Sequence, residues 1–388
     1  MSQTKAQLVS GTTAQDLTVD NINTTSINSG QTSGKKNLII NGAMLVAQRG
    51  TSSTSQDFQT VDRMKSNQSS IDEVATQAQV DVASGTTPYT LGFRKAFKFT
   101  NGNQTSGAGT GDVIKVQQRL EAQDIANSGW NYLSSSSYLT MSFWVKSSVA
   151  QNFYIQLIAY DNATYNYTFE TGSLSADTWT KVTHSIPGNS NIRFDNDNGL
   201  GLEIAWYQFQ GTDRTASDFA LNTWAAYASG SQSPDMTSTW YTTNNATFEI
   251  TGVQLEVGPT ATDFEHRSFA EELKLCQRYY YKQSANNNEF FRGMGMADVD
   301  GNSIELNSPF PTTMRVAPSA LEQTGNASDY KIRRSTTATC TSVPSFGHAT
   351  TDQLQCRFTK SSHGFGDGSA VRCVSGTAGG FLAVSAEL

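Results

Sequence analysis

Charged side chains are scarce in this chain of 388 residues, because Asp, Glu, Lys and Arg together make up only 16% of it. An average globular protein has roughly 25%. The formal charge is -7, and lysine and arginine never occur in runs longer than two. A nucleic-acid-binding surface requires clustered basic side chains. The sequence therefore argues against a nucleic-acid partner, and against a polyanionic partner held by charge alone.

Long apolar runs are missing as well. No stretch approaches the roughly 18 apolar residues of a membrane helix. The segment Met1 to Ser10 has no basic region followed by an apolar one, which a secretory signal peptide requires. We therefore expect a protein that folds in a cytoplasm without inserting into a membrane. In that compartment the four cysteines are expected to be thiols.

Ser, Thr, Asn and Gly take the place of the missing charges. They separate segments of alternating apolar and polar residues, a pattern typical of half-buried strands. The clearest segments are 94–100, 138–146, 153–160, 165–169, 179–186, 201–209 and 247–256. Many strands with such turns predict a β-sandwich, most simply a jelly roll.

Alternation also assigns the faces of two strands. In 138–146, one face carries Met141, Phe143 and Val145, and Trp144 lies on the other. In 201–209, one face carries Leu202, Ile204 and Trp206, and the other carries Glu203, Ala205, Tyr207 and Phe209. We expect Trp206 to lie in the core, because aromatic side chains bury large areas there.

The chain divides into four parts. Residues 1–35 form an arm with few apolar residues, 36–267 the jelly-roll sandwich, 268–285 a connecting helix and 286–388 a smaller β domain. The predicted fold class is therefore all-β, with an extended N-terminal arm and a short helix between the two β domains.

The arm contains one alternating pattern, at Leu17 and Val19. A single strand cannot bury enough surface to offset the entropy lost when it is ordered. The arm must therefore pair with another chain, dock on a partner or stay disordered, and the sequence leaves these alternatives open.

The predicted helix begins at Ser268. The segment Ser268-Phe269-Ala270-Glu271 matches a capping box. One helix face then carries Phe269, Leu273, Cys276 and Tyr280, which we name the α-stripe. The stripe covers an edge or face of the sandwich, or forms the oligomer interface of a three-chain bundle. A third alternative is that the rings at 279–281 stack on a ligand.

The last apolar segment, 379–388, is predicted to be a strand paired within a sheet, because a free apolar edge invites aggregation. Truncating the tail should therefore cost folding.

Aromatic residues cluster late in the sandwich, at Tyr207, Phe209, Trp224, Tyr227 and Trp240. Sugar rings stack on exposed aromatic faces, and carboxylates bind sugar hydroxyls. The sequence therefore suggests a glycan-binding set of Glu203, Tyr207, Trp224 and Trp240. The alternative is that these aromatic rings fill the core.

The turn Asp195-Asn196-Asp197-Asn198-Gly199 places oxygen donors at alternate positions, as hard cations such as Ca²⁺ prefer. Asp195 and Asp197 are therefore candidate ligands of a structural calcium ion. No glutamate follows at EF-hand spacing, and Asx-rich turns also form without a metal. Both alternatives stay open.

Signals of catalysis are weak. The acid pairs Asp195/Asp197 and Glu249/Glu256 are conceivable glycosidase carboxylates, but such side chains also solvate sheet faces. The sequence has no nucleophile elbow, metalloprotease motif or phosphate loop. We do not expect an enzyme.

Several short motifs occur in a fixed order. They are Asn37 to Gly42, Gln48-Arg49-Gly50, Asp62-Arg63, Ser142 to Lys146, Asn198 to Glu203, Ile250 to Gly258, Phe264 to Arg267 and Cys276 to Tyr280. In this order the chain resembles bacteriophage tail-fibre and related virion proteins with a carbohydrate-binding-module-like sandwich. The resemblance covers roughly residues 36–282.

The resemblance implies a homotrimeric phage tail fibre or receptor-binding protein located in the virion. Its arm would attach to other virion proteins, its C-terminal domain would form a tip, and its partner would be a host cell-surface glycan. Modules of this kind often hold a structural calcium ion. The alternatives are a head-associated fibre or capsid decoration protein, and a depolymerase tailspike.

Overall fold

The computed structural model describes residues 36–388 and, before them, the backbone of two short antiparallel strands, β1 (Ser26–Ile27) and β2 (Gly30–Gln31). The rest of the predicted arm, including the expected strand at Leu17 and Val19, lies outside the described residues. Among the residues described, no helix is long and apolar enough to cross a membrane.

The next twelve strands form two six-stranded antiparallel sheets. They are β3 (Ser52–Ser53), β4 (Lys65–Ser69), β5 (Thr76–Asp81), β6 (Lys95–Thr100), β7 (Val113–Glu121), β8 (Tyr138–Ser147), β9 (Tyr154–Ala159), β10 (Tyr165–Glu170), β11 (Thr180–Pro187), β12 (Leu200–Gln210), β13 (Trp224–Ala226) and β14 (Thr247–Val257). Sheet A has the order β13-β10-β9-β12-β7-β4, and sheet B has the order β11-β8-β14-β6-β5-β3. The all-β sandwich predicted from the sequence is confirmed.

Neighbouring strands are often distant in sequence, because the chain crosses repeatedly from one sheet to the other. In sheet B, β14 pairs with β8 and β6, and in sheet A, β12 pairs with β7 and β9. This exchange of strands between two packed sheets is typical of a jelly roll. Most strand pairs in the two sheets therefore join segments that are far apart in the sequence.

The core lies between the sheets, where the inward faces meet. Met141, Phe143 and Val145 of β8 and Leu202, Ile204 and Trp206 of β12 are buried there, as the alternation predicts. The predicted face of Phe209, beside Tyr207 on the outer side of the strand, is wrong. A register shift between Tyr207 and Phe209 inserts an extra residue and turns Phe209 into the core, because a bulge reverses the faces beyond it.

Four α-helices occur within residues 36–388: α1 (Thr87–Thr90), α2 (Ala122–Ala126), α3 (Thr239–Thr242) and α4 (Phe269–Gln277). The capping box that begins α4 is confirmed, since Ser268 and Glu271 exchange both hydrogen bonds. The predicted helix over 268–285 is too long. Consecutive aromatic residues favour strands, and the chain leaves α4 after Gln277 to form a strand at Tyr280.

The C-terminal strands build two further sheets. They are β15 (Tyr280–Ala285), β16 (Met294–Ala297), β17 (Ser303–Pro309), β18 (Glu322–Gln323), β19 (Tyr330–Arg333), β20 (Thr337–Thr339), β21 (Ser345–Ala349), β22 (Gln353–Thr359), β23 (Ala370–Ser375) and β24 (Gly380–Ser385). Sheet C has the order β15-β24-β18, and sheet D has the order β20-β19-β23-β16-β17-β22-β21.

The tail strand β24 pairs on both sides, with β15 and with β18, as the sequence predicts. Three of the four cysteines, Cys340, Cys356 and Cys373, lie buried in the adjoining core as free thiols. Burial raises the pKa of the Cys340 and Cys356 thiols to about 12. They therefore pack as small apolar groups.

Candidate functional site

Two of the predicted glycan-binding residues, Trp224 and Trp240, are buried. Trp240 is 0% exposed and donates its indole N–H to the Thr247 carbonyl at 3.0 Å. Trp224 is 8% exposed and donates to the Pro187 carbonyl at 2.7 Å. Neither ring offers a face to a sugar. Here the alternative that aromatic residues fill the core is correct. Both rings are buried away from water, and both indole N–H groups are hydrogen-bonded inside the protein.

Tyr207 faces outward from sheet A, but the segment 227–236, which follows β13, lies over it. The Tyr207 hydroxyl donates to Gln156 Oε1 at 3.0 Å. The backbone carbonyl of Gln232 in turn accepts bonds from Gln156 Nε2 at 2.8 Å and Thr168 Oγ1 at 2.9 Å. Tyr207 is consequently buried, and burial raises its pKa. It cannot serve as a stacking platform.

Glu203 is also buried, at the centre of a charged cluster on the outer face of sheet A. Its carboxylate lies 2.9 Å from Lys115 Nζ and 2.9 Å from Arg119 Nε. Gln117 Nε2 donates to it at 3.2 Å, and the Tyr160 hydroxyl lies 3.4 Å away. Both carboxylate oxygens are therefore occupied by protein donors.

The electrostatics of Glu203 follow from these partners. Burial alone would raise its pKa, but Lys115 and Arg119 outweigh burial and the pKa is lowered. Side-chain exposure is 1% for Glu203, 14% for Lys115 and 24% for Arg119. The prediction that Glu203 binds a ligand directly is therefore wrong: its carboxylate is taken up by two cations, which are themselves only partly exposed.

A cavity of about 310 Å³ lies beside this cluster. We name it the sheet A pocket. It is lined by Asn67, Ser69, Val113, Lys115, Tyr207, Gln210, Arg214, Tyr227 and Gln232. Its volume is at the lower end of the range for small-molecule sites. Lys115 belongs to both the pocket and the Glu203 cluster, which therefore form one continuous surface.

The sheet A pocket suits a hydroxyl-rich ligand. Tyr227, at 37% exposure, presents the accessible ring, and the lining side chains of Asn67, Lys115 and Arg214 supply donors for hydroxyl oxygens. A few polar groups placed around an aromatic surface are what fixes the orientation of a small ligand.

The sequence places Tyr207 and Tyr227 in the aromatic cluster and Glu203 in the predicted glycan-binding set, but it does not point to the remaining residues of this surface. A signal exists for part of it: Lys115, Gln117 and Arg119 alternate with buried residues along β7, which predicts one polar face. Asn67 and Arg214 carry no comparable signal, since the fold alone brings them to Lys115.

Asp195 and Asp197 lie in an exposed turn. The Gly199 N–H donates to Asp197 Oδ1 at 2.8 Å, and the Asp195 N–H donates to Asp161 Oδ2 at 2.9 Å. Burial, and then repulsion by both aspartates, raises the pKa of Asp161. Within 36–388 no group of three or more His, Cys, Asp or Glu side chains is arranged to hold a metal. Calcium at this turn stays a prediction.

The α-stripe faces its own chain over most of its length. Leu273 and Cys276 pack with Ile40 and Val46 in a small apolar cluster, and Cys276 is 0% exposed. Phe269, by contrast, is 58% exposed. A fully buried side chain cannot contact another copy, so Cys276 does not belong to an oligomer interface.

Tyr280 is likewise buried. The guanidinium carbon of Arg49 lies 3.5 Å from the centre of its ring, and its hydroxyl donates to Glu322 at 2.9 Å. Tyr279 and Tyr281 are buried as well. This excludes Tyr280 from the predicted oligomer interface, and it excludes ligand stacking by the three rings. The homotrimer itself stays a prediction.

Most of the sequence motifs meet at one place, which we name the junction; the exceptions are Ser142 to Lys146 in β8 and Glu203 in the charged cluster. Asn37 Nδ2 donates to the Val253 carbonyl at 3.0 Å, and the Leu255 N–H donates to Asn37 Oδ1 at 3.0 Å. The backbone N–H groups of Lys36 and Asn37 donate to the Glu265 carboxylate at 3.1 and 2.8 Å. The first motif is therefore fixed to the last strand of the sandwich.

Buried polar bonds continue the junction toward the helix. The Asn41 N–H donates to Glu272 of α4 at 2.5 Å, and Asn41 Nδ2 donates to the Asp62 carbonyl at 3.0 Å. Gln48 Nε2 donates to the Tyr280 carbonyl at 2.8 Å, and the Gln48 N–H donates to Asp62 Oδ1 at 2.9 Å. These groups satisfy one another, as buried polar groups require.

The C-terminal residues complete the junction. Arg49 Nη1 lies 3.3 Å from the Glu387 carboxylate. Arg315 donates to the carbonyls of Ala386 and Glu387, both at 2.8 Å. The junction motifs thus hold the two β domains together.

Comparisons with known proteins give weak matches to solved structures. Over 57% of its length the chain is similar to the enzymatically active domain of bacteriophage CBA120 tailspike protein 4, with 10% identity and a TM-score of 0.29. Over 56% it is similar to the family 11 carbohydrate-binding module of Clostridium thermocellum, with 13% identity, a TM-score of 0.24 and 98% of that chain covered.

A third similar structure is the CBM22-1–GH10 part of xylanase 10B from Clostridium thermocellum, with 8% identity, a TM-score of 0.27, 57% of this chain covered and 30% of that one. The chain covers only 21% of the tailspike domain. No protein-family model matches the chain, and no curated protein is significantly similar to it. Since these TM-scores are below 0.5, the matches establish neither family nor function.

Proposed function

We propose that this chain is a phage virion fibre protein, a tail fibre or receptor-binding protein, that adheres to host surface glycans without catalysis. The observation that carries the proposal is the ordered set of motifs, which resembles phage virion proteins. Most of these motifs meet in the junction between the two β domains. A junction that fixes the sandwich to the C-terminal domain suits a protein that is anchored through one domain and binds its receptor through another.

The glycan-binding part of the proposal rests on the sheet A pocket. Its donors match sugar hydroxyls, and Tyr227 supplies the accessible ring. A pocket of about 310 Å³ holds only one or two sugar units, so a single site binds weakly. Three sites in a homotrimer, and several fibres on one particle, would raise the effective affinity by orders of magnitude.

The test measures binding of the purified chain to immobilised host-surface polysaccharide. Replacing Tyr227 or Asn67 by Ala should weaken binding about tenfold, the effect of roughly 1.4 kcal/mol. Lys115 is a poor choice, because its removal leaves the buried Glu203 carboxylate with one cation fewer. Leu133→Ala is the matched control, since Leu133 is exposed (45%) and does not line the pocket.

Undiminished binding by both the Tyr227→Ala and Asn67→Ala variants would remove the sheet A pocket from the proposal. Immunogold labelling of particles then locates the chain: label on the tail supports a tail fibre, and label on the head supports the head-fibre or decoration alternative. Release of reducing ends from host polysaccharide would contradict adhesion without catalysis and support the depolymerase alternative. Light scattering measures whether the chain forms trimers.

A further inference from the structure

Two arginines face each other across the outer surface of sheet D. Arg333 of β19 pairs directly with Arg372 of β23, and both side chains are exposed. Like charges placed directly opposite each other on a sheet destabilise it. The next residue, Arg334, adds a third guanidinium at the same place. The register therefore concentrates positive charge in a protein whose formal charge is -7.

Within residues 36–388, these three arginines have no carboxylate as a counter-ion. The ion pairs on this sheet belong to Arg357, which lies 3.0 Å from Glu305 and 3.7 Å from Asp298. Among residues 36–388, no carboxylate pairs with Arg333, Arg334 or Arg372. The repulsion between them is thus uncompensated within the described chain.

The three arginines line a cavity of about 570 Å³, which we name the arginine pocket. Its remaining lining comes from Gly293, Met294, Gly295, Ala370 and Val371, and includes no acidic residue. Phe290 stands beside it: its ring centre lies 4.7 Å from the guanidinium carbon of Arg372 and 5.9 Å from that of Arg333. Contact with the ring restricts both guanidinium groups.

We propose that the arginine pocket binds an oxyanion, a carboxylate or a phosphate, carried by a host surface polysaccharide. Guanidinium groups bind such anions through paired N–H donors, and the anion would compensate the repulsion between Arg333 and Arg372. The apolar rim at Phe290 and Met294 can contact the C–H surface of a sugar. The choice of a polysaccharide as carrier rests on the proposed adhesive function, whereas the anion site rests on the geometry alone.

The absence of basic runs in the sequence does not oppose this site. Arg333 and Arg372 are far apart in sequence and meet only through strand pairing. Nucleic-acid binding is less well supported, because it uses basic groups along an extended surface, and here they occupy one pocket.

The test measures binding of the full chain to four immobilised probes: polygalacturonate, a glycerol-phosphate polymer, neutral dextran and a single-stranded DNA oligonucleotide. Wild type should bind one or both anionic polysaccharides, with affinity falling as salt is raised, and should not bind dextran through this pocket. Polygalacturonate and the glycerol-phosphate polymer distinguish carboxylate from phosphate recognition. Arg333→Ala and Arg372→Ala should each weaken that binding about tenfold.

Arg357→Ala is the matched control, because it removes one positive charge from the same sheet but not from the pocket. It should change binding less than about twofold. Arg372→Lys keeps the charge and loses the paired donors, so its affinity should fall between those of wild type and Arg372→Ala. Removing Arg333 or Arg372 should leave the melting temperature unchanged or higher, because cross-strand repulsion is relieved.

The proposal is overturned if wild type binds neither anionic polysaccharide, or if both alanine variants bind as wild type does. An equal loss in Arg357→Ala would show a general charge effect and also overturn it, as would equal, arginine-dependent binding to DNA. Tyr227→Ala separates the two sites: polysaccharide binding lost in Tyr227→Ala but retained in Arg333→Ala and Arg372→Ala would leave the adhesive function standing without an anion site.

Discussion

The guanidinium carbon of Arg63 lies 3.5 Å from the centre of the Tyr279 ring, deep between the sandwich and the C-terminal sheets. The Arg63 side chain is 1% exposed and forms an ion pair with Glu387. Burial alone would lower the pKa of Arg63, but Glu387 and Tyr279 favour the charged form and the pKa is raised. A single buried cation thus joins three distant parts of the chain.

Glu387→Ala should destabilise the protein by about 3 kcal/mol, because removing one partner of a buried ion pair leaves the other charge uncompensated. The free energy of unfolding, measured by urea denaturation, checks this value. Asp81→Ala is the control. It breaks an exposed pair with Lys95 and should barely move the midpoint. Equal effects in the two variants would mean that the Arg63 pair does not hold the junction.

Asp62 should make stability depend on pH. Burial, opposed by hydrogen bonds from Gln48, raises its pKa to about 6, above the roughly 3.9 of an unfolded chain. The folded state therefore binds the proton more tightly. The contribution of Asp62 to stability is full below about pH 4 and is lost as the pH rises through about 6, so it should be about 1 kcal/mol larger near pH 5 than near pH 7.

The control for this prediction is Asp62→Asn. His184 acts in the opposite direction in the same window: burial lowers its pKa, so its contribution is present above about 6.5 and falls as the pH falls. The difference between wild type and Asp62→Asn isolates Asp62. A difference in unfolding free energy that is constant from about pH 5 to about pH 7 would contradict a raised pKa.

The two ends of the α-stripe should respond differently to substitution. Cys276→Ser places a hydroxyl beside Ile40 and Val46 and should lower stability by about 1–2 kcal/mol. Phe269→Ser alters an exposed ring and should change neither the unfolding free energy nor the mass measured by light scattering. A lower mass for Phe269→Ser would indicate that the exposed end of α4 does contribute to an oligomer interface.

Deleting residues 1–34 should leave a folded chain that no longer joins virus particles. Among the described residues, the contacts that anchor the start of the sandwich begin at Lys36, whose N–H donates to Glu265, and the deletion leaves these contacts in place. Circular dichroism measures whether the deletion variant is folded, and a particle-incorporation assay measures whether it still joins virus particles. A deletion variant that still incorporates would show that attachment does not use the arm.

Features set by neighbouring residues were predictable from the sequence. The alternation in β8 and the first part of β12, and the capping box at Ser268, appear where the pattern places them. The exceptions are positions where pairing with a strand distant in sequence changes the local alternation. The bulge after Tyr207 moves Phe209 to the other face, and alternation contains no sign of an inserted residue.

The candidate site was harder to predict, because a strand pattern shows which face a residue takes but not what covers that face. Tyr207 points outward as predicted, yet Gln232 and its neighbours cover it. Trp240 stands in a polar loop by sequence and is nevertheless fully buried. The pairing of Arg333 with Arg372 depends on register, which joins strands that are not adjacent in sequence.

The position of Lys36 and Asn37 has a mechanical consequence for the proposed adhesive fibre. They enter the sandwich beside Glu265, and Arg267 donates to the Asn37 and Ile39 carbonyls at 2.5 and 3.0 Å. The chain thus enters and leaves the sandwich at adjacent points. In the proposed fibre, a tensile load between the segment before Lys36 and the C-terminal domain would run through these few bonds and the following helix, and would leave the strands of sheets A and B unstretched.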